Sequence, residues 1–487
     1  MLTSKVVRLG LVLPWLILYG YLAYRAAKAR PGATLRDRVV KMLGDREPAV
    51  YLDSAKLIVL IAWLWNSPNP VVLKETLSRN IPIASPIGIF KAVSLASMPL
   101  WTVDVATWAF RVGLVLAALG FATRIGTAVA ALCHVYLWSL SYSFGYSVHN
   151  HMVPMALLAF AFCPDPSPHI GKYFKAWREK KPLTEVASYP AYSVEAVRFA
   201  VMTVYVQAGL EKMLQSGAQY FNGVTIQTHF LWGLELITPA ANWPLWLLGA
   251  IGFAVCFWES SYGLVHFFPK SRLPLILTAF IFHEIVRYGI SINPFSFLEA
   301  GILFFAPPYE LALLFRGKSA PRTRAAEGEK VNPKWGFVAA AAVLCAVQWL
   351  PFFTRKGEYP ILSFSLFSGS YQGGETQPRF AKVSARKRPD GAFRQVDEVK
   401  ELAMHNVAFS EFIVSRFGPF YFEKLSLPGY AKQEHLVDRR EEHCQWLLDQ
   451  VRRYAGMADA DELVIDLNYY IVGDTSARTA RIYECKR

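Results

Sequence analysis

Residues 336–353, GFVAAAAVLCAVQWLPFF, contain no charged side chain, and Trp335 marks their N-terminal edge. A helix needs about 20 predominantly apolar residues to cross a hydrocarbon core of about 30 Å. The reading of this run decides the fold class, because similar runs recur toward the N-terminus, near 9–22, 54–72, 103–122, 126–146, 148–164, 194–213, 243–267, 273–290 and 292–314. Composition agrees with the pattern: 53% of the 487 residues are hydrophobic and the mean hydropathy is +0.25, high for a water-soluble chain of this size. The expected fold is an all-α polytopic transmembrane bundle of about 9–10 helices with the lipid bilayer as its solvent.

Charge and aromatic placement extend this reading outward. The chain carries 51 Lys and Arg against 37 Asp and Glu, for a net charge of +14. The basic residues cluster in short loops, which is the positive-inside pattern rather than a nucleic-acid surface. Arg25, Lys28, Arg30, Arg36, Arg38, Lys41 and Arg46 follow the first run, so residues 1–49 read as an anchor helix and a basic cytoplasmic segment. Loops 165–193 and 315–335 are similarly basic and should be cytoplasmic in a ten-span arrangement with both termini outside. Trp101 and Trp243, like Trp335, sit at run ends as interfacial anchors would. The segment 67–102, with Pro68, Pro70, Pro82, Pro86 and Pro99, reads as an outer loop with short interfacial helices.

The transmembrane domain is thus expected over 50–353. After Pro351 charged residues become frequent and short alternating segments appear at Ala381–Lys387 and Leu463–Tyr470, with an amphipathic helix at about Gln433–Tyr454 between them. Residues 354–487 read as a small α+β extracytoplasmic domain. The six cysteines show no metal-ligand spacing, so no metal site is expected. Four fall within apolar runs as packed thiols; Cys444 and Cys485 lie in the water-facing tail, where a disulfide requires an oxidising compartment. The chain has no Asn-x-Ser/Thr acceptor, which fits a multi-pass protein of a bacterial cytoplasmic membrane better than one of a secretory pathway.

Two polar clusters interrupt the apolar runs, and an ionisable group at membrane depth is costly enough to mark a functional candidate. One is Ser147-Val148-His149-Asn150-His151 at the start of a span; the other, Tyr205 to Lys212, ends a span. Arg198, Tyr205 and Lys212 are seven residues apart and share a helix face, with small Gly209 leaving room for another helix or a flat ligand. The ten-span arrangement brings both clusters to the outer side, where they could line one pocket. Each has a plain structural reading too. A lysine at a helix end commonly snorkels to the interface, a boundary histidine is commonly a hydrogen-bonded interfacial residue, and His283 could be packing or a third pocket wall.

At these residues the sequence resembles the vitamin K-dependent γ-glutamyl carboxylases and the wider HTTM (horizontally transferred transmembrane) family, over roughly residues 50–370. The family's Asn-His-x-x-x-x-x-Leu-Leu-Ala-Phe is matched by Asn150, His151, Leu157, Leu158, Ala159 and Phe160, and its Tyr-x-x-Ala-Gly-x-x-Lys by Tyr205, Ala208, Gly209 and Lys212. Gly223, Arg124-Ile125 and Phe282-His283 also fit in order and spacing. The resemblance implies a membrane enzyme that uses reduced vitamin K or menaquinol with O₂ and CO₂. In it a lysine amine deprotonates the quinol, oxygenation yields a strong base, and that base removes a γ-proton from a peptide Glu, which CO₂ then traps. Lys212 and His151 would be catalytic; Asn150, Tyr205, Gly209 and His283 would bind the quinol; an exported peptide or protein would be the substrate.

The sequence departs from the animal carboxylases at Glu211, where they commonly have Lys, and in its shorter tail, which argues against propeptide-directed substrates. The alternative is a non-catalytic relative acting as a maturation or interaction factor for an exported peptide. A transporter fits less well, since neither repeated halves nor paired broken helices are present. The charge pattern itself makes a testable statement: a topology reporter fused at Lys330 should report from the cytoplasmic side, and a signal from outside would overturn the span count and the shared outer pocket.

Overall fold

The computed structural model describes residues 5–29, 34–67, 69–78, 99–142, 152–165, 167–232, 238–268, 271–290, 300–305, 307–315, 334–354, 376–387, 391–396, 440–471 and 478–486. The architecture is mostly helical with a small sheet near the C-terminus. The helices are α1 (Lys5–Lys28), α2 (Leu35–Gly44), α3 (Ala49–Trp65), α4 (Pro70–Ser78), α5 (Trp101–Ala118), α6 (Thr123–Tyr142), α7 (Met152–Ala161) and α8 (Ile170–Arg178). They continue as α9 (Ala191–Ser216), α10 (Val224–Trp232), α11 (Leu245–Ser261), α12 (Arg272–Ile290), α13 (Pro308–Phe315), α14 (Trp335–Thr354) and α15 (Arg440–Tyr454).

Three helical stretches among the described residues are long and apolar enough to cross a membrane: Trp101–Ala118, Leu245–His266 and Trp335–Phe353. Their outward faces stay apolar, as Trp108, Val112, Trp246, Phe253, Val343 and Phe353 show by their exposure. Other expected runs are interrupted. The run near 54–72 forms a helix that begins earlier, at Ala49, and stops at Trp65, ahead of Pro68 and Pro70, because proline disfavours the α conformation of the residue before it and lacks an N–H. Of the run at 148–164, Met152–Ala161 is helical among the described residues, and of the run at 292–314, residues 300–302 and Pro308–Phe315 are. The proline-rich segment 67–102 holds α4, and its residues 79–98 lie outside the described set.

A short antiparallel pair, β1 (Arg46–Pro48) with β2 (Ser188–Pro190), launches the two central helices. Each strand ends in a proline whose φ, −54° at Pro48 and −57° at Pro190, leads directly into a helix. The first N–H groups of α3 and α9 have no intrahelical acceptor. Across the pair, Ala49 N–H donates to Ala187 O at 2.8 Å and Ala191 N–H donates to Asp45 O at 2.7 Å. Asp53 then pins α3 to the segment that follows α7: it accepts from Ser167 at 2.8 Å, Tyr173 at 2.7 Å and Tyr189 at 2.8 Å and pairs with Lys56 at 2.8 Å. Nearby, Asp165 bridges Arg46 at 2.6 Å and Lys334 at 3.2 Å. Burial alone would raise its carboxyl pKa, but these two cations hold it below the usual carboxylate range.

Helix α9 is the axis of the packing, touching α1, α7, α11 and α14. It ends at Gly217, whose φ of +60° is costly for residues with a Cβ.

The C-terminal sheet has order β4-β3-β5-β6, built from β3 (Thr376–Arg386), β4 (Arg394–Gln395), β5 (Glu462–Ile471) and β6 (Arg478–Lys486), all antiparallel. These strands cover both expected alternating segments. The helix expected over 433–454 is observed as Arg440–Tyr454, and 433–439 lie outside the described residues. Alternate residues Leu463, Ile465 and Leu467 turn to one face and pack with Leu447, Leu448 and Val451 of α15. A disulfide, Cys444–Cys485, ties that helix to β6 across 41 residues. Closing a loop of that length stabilises by about 4 kcal/mol in the chain-entropy treatment. Alkylating the unreduced, denatured chain should therefore add four labels, one per free cysteine, and prior reduction should raise this to all six. Six labels without reduction would overturn the pairing.

Candidate functional site

Two groups of buried polar residues lie on α9, one near each end. At the C-terminal end, Lys212 Nζ donates to both carboxylate oxygens of Glu259 on α11, at 2.8 and 2.6 Å. Their side chains are only 2% and 6% exposed, so Lys212 points into the packed interior and does not snorkel toward a surface. Cys256 and the buried His229 of α10 lie within electrostatic reach of Lys212. Glu211, next in sequence to Lys212, is also fully buried.

Gly209 explains how α9 and α11 come close enough for this pair. A Cβ at Gly209 would fall 2.8 Å from Cys256 O and 2.5 Å from Ser260 Oγ, so the second helix takes the room that the glycine leaves. Of the two uses the sequence allows for Gly209, helix approach is the one observed. The Ser260 hydroxyl is buried here and has no hydrogen-bond partner among the described residues.

About two turns back along α9 from Lys212, Tyr205 stacks on Tyr262 with ring centroids 4.1 Å apart and planes at 11°. Its hydroxyl shares a 3.0 Å hydrogen bond with His283 Nε2 of α12. Trp258 closes the edge of both tyrosine rings. Tyr205, Gly209, Lys212 and His283 are thus gathered where α9 meets α11 and α12. Asn150 and His151 lie outside the described residues.

Arg198 shares the face of α9 but serves the opposite end. Its guanidinium contacts Glu195 at 2.8 Å, Glu47 at 3.3 Å and Glu310 at 3.9 Å, and its Nε donates to Phe304 O at 3.1 Å. Arg272 joins Glu310 at 3.5 Å and Glu195 at 4.0 Å, and His266 Nδ1 is hydrogen-bonded to Glu195.

Sequence reasoning missed Glu259. Its signal was available, because it is the lone carboxylate of the apolar run 243–267 and ionisable residues in such runs are paired or functional. What spacing cannot show is that the partner stands 47 residues away. No group of His, Cys, Asp and Glu suited to a metal ion occurs among the described residues. None of the protein-family models, curated proteins or solved structures compared with this chain matches it.

Removing one member of a buried ion pair leaves an uncompensated charge and costs roughly 3–5 kcal/mol, whereas replacing both with apolar residues is often close to neutral. Lys212→Met alone should therefore lower the thermal unfolding midpoint sharply, and Lys212→Met with Glu259→Leu should recover most of the loss. Additive losses in the double variant would mean that the two side chains are not coupled.

Proposed function

We propose that this chain is a polytopic membrane enzyme of the HTTM type that uses a quinol and O₂, with carboxylation of Glu side chains in an exported peptide or protein as the outcome. The observation that carries the reading is the buried Lys212–Glu259 pair, with the Tyr205–His283 hydrogen bond about two turns back along α9, at the residues where the sequence resembles the vitamin K-dependent carboxylases. The membrane placement is supported by three apolar helices with exposed apolar faces. The disulfide supports an outer, oxidising location for residues 354–487.

The residues fit a molecule with an acidic hydroxyl. The buried Ser260 hydroxyl offers a free hydrogen bond beside Gly209, and Lys212 with Glu259 forms a two-group proton acceptor. When bound, reduced vitamin K or menaquinol supplies the electrons for oxygenation. Lys212 is a base only when its amine is neutral. Glu259 provides the route: in an apolar enclosure a proton passing from the ammonium to the carboxylate exchanges two charges for two neutral groups and removes their desolvation cost. Lys212 can then take a proton from a hydroxyl held against it, and Glu259 keeps the pair poised. Tyr205 and His283 orient from the neighbouring face, and the packed rings of Tyr262 and Trp258 exclude water there. Asn150 and His151 would complete the donor set.

A second reading is a non-catalytic relative that assists an exported peptide, for which the same ion pair serves only to hold α9 to α11. Incubating the chain in lipid with reduced menaquinone and O₂ separates the two readings. Quinone epoxide should form with the native protein and be lost in Lys212→Arg, because a guanidinium keeps its proton at ordinary pH while still pairing with Glu259. The arginine variant preserves the charge and so tests the base without emptying the pair. Epoxidation at the native rate by Lys212→Arg would remove the catalytic role and leave the second reading.

A further inference from the structure

Helix α8 reads Ile170-Gly171-Lys172-Tyr173-Phe174-Lys175-Ala176-Trp177-Arg178, and His169 caps it by accepting from Gly171 N–H at 2.9 Å. Helical geometry gathers Ile170, Phe174 and Trp177 into a stripe about 60° wide and puts Arg178, Lys175 and Lys172 on the flank beside it. The apolar stripe faces outward: Phe174 is 62% and Trp177 65% exposed. The remaining flank faces protein, where Ala176 is buried and Tyr173 donates to Asp53 of α3 at 2.7 Å. The helix cannot roll its stripe inward without giving up that bond.

Two contacts set the level of α8 against the apolar helices. Ile170 N–H donates to Leu119 O at 3.0 Å, and Leu119 directly follows the stretch Trp101–Ala118. Asp165, shortly before α8, pairs with Lys334 at 3.2 Å, and Lys334 directly precedes the stretch Trp335–Phe353. One end of each of two span-length helices therefore meets the segment that carries α8. Gly120 permits the first approach, since its φ is +78° and a Cβ there would collide with Pro168 O. The ends of spanning helices mark the border between hydrocarbon and headgroups, the level at which tryptophans and amphipathic helices settle.

The charge on this segment is one-sided. Residues 170–181 carry Lys172, Lys175, Arg178, Lys180 and Lys181 against Glu179 alone. Glu179 pairs with Lys181 at 2.9 Å and reaches Lys175 at 3.9 Å, whereas Lys172 and Arg178 are exposed and form no ion pair among the described residues. A basic cluster of this size beside an apolar stripe matches an anionic leaflet, whose phosphates take the cations while its acyl chains take the rings.

We propose that α8 is an interfacial helix that binds anionic phospholipid, with Ile170, Phe174 and Trp177 seated at the border of the acyl chains and Lys172, Lys175 and Arg178 on the headgroup phosphates. The inference rests on the membrane placement proposed above and is independent of the quinol chemistry. Because α8 is already folded and tied to α3 and to the end of α5, lipid binding requires no coil-to-helix transition of the kind a free short peptide must undergo.

The experiment places the full-length chain in nanodiscs of phosphatidylcholine, alone or mixed with phosphatidylglycerol, and follows hydrogen exchange of the peptides covering 170–178 by mass spectrometry. The anionic discs should slow that exchange about tenfold or more, as expected for three basic side chains at the surface. Salt at about 1 M, where the Debye length is about 3 Å, should remove the difference. Lys172→Gln combined with Lys175→Gln and Arg178→Gln should erase the lipid preference while keeping the native unfolding midpoint, since all three side chains are exposed. Phe174→Ser with Trp177→Ser should speed exchange in both kinds of disc. Equal exchange in the two lipids, a preference that survives the three glutamine substitutions, or unchanged exchange after the two serine substitutions would each overturn the proposal. A chain that enters neither disc would overturn the membrane placement as well, whereas an incorporated chain with equal exchange would sink this inference alone.

Discussion

An ionised side chain taken into an apolar interior keeps a desolvation penalty of several kcal/mol unless a counter-charge is brought to it. Helix α9 places two such cations in the core, Arg198 and Lys212, 1% and 2% exposed. Much of the arrangement around α9 answers that requirement. The β1–β2 pair delivers Glu47 to Arg198, the start of α13 delivers Glu310, and α11 delivers Glu259 to Lys212. Gly209 makes the last contact available by letting α11 approach to backbone distance. The packing around α9 is therefore shaped by where its buried charges need partners.

The two cations are 14 residues apart, or about 21 Å along the helix axis, so their clusters are chemically separate although they share an element. They also differ in kind. Around Lys212 a single carboxylate, Glu259, takes both hydrogen bonds from the ammonium, and the chemistry such a pair offers is proton exchange. Around Arg198 the charges form a network, Glu47, Glu195 and Glu310 shared with Arg272 and, through Glu195, with His266.

The cysteines sort by the same physical division. Those in or beside the apolar helices remain free thiols, whereas the pair in the charged C-terminal region is bridged. That domain has a core too small to rely on burial alone, a single helix face against one side of a four-stranded sheet. The bridge joins the helix to the edge strand, alongside hydrogen bonds from Gln445 to Lys486 O and from Tyr483 to Glu441.

Much of this was legible in the amino-acid order. Apolar runs predicted helices whose described parts fall where expected, because a run's length and lack of charge are local properties. Period-two alternation located β3 and β5, and the polar interruptions at Tyr205 and Lys212 fall on buried, hydrogen-bonded side chains. The breaks were less legible: the run beginning near 54 forms a helix from Ala49, whose N–H is satisfied by Ala187 just ahead of β2, a partner 138 residues away in the chain. Side-chain partnership was the least legible of all. Heptad spacing put Arg198, Tyr205 and Lys212 on one face, yet it could not tell that they answer to Glu47, His283 and Glu259 respectively. Local pattern sets which residues are costly to bury, since that cost belongs to the side chain; which group relieves it depends on how distant helices cross, and only the tertiary structure decides that.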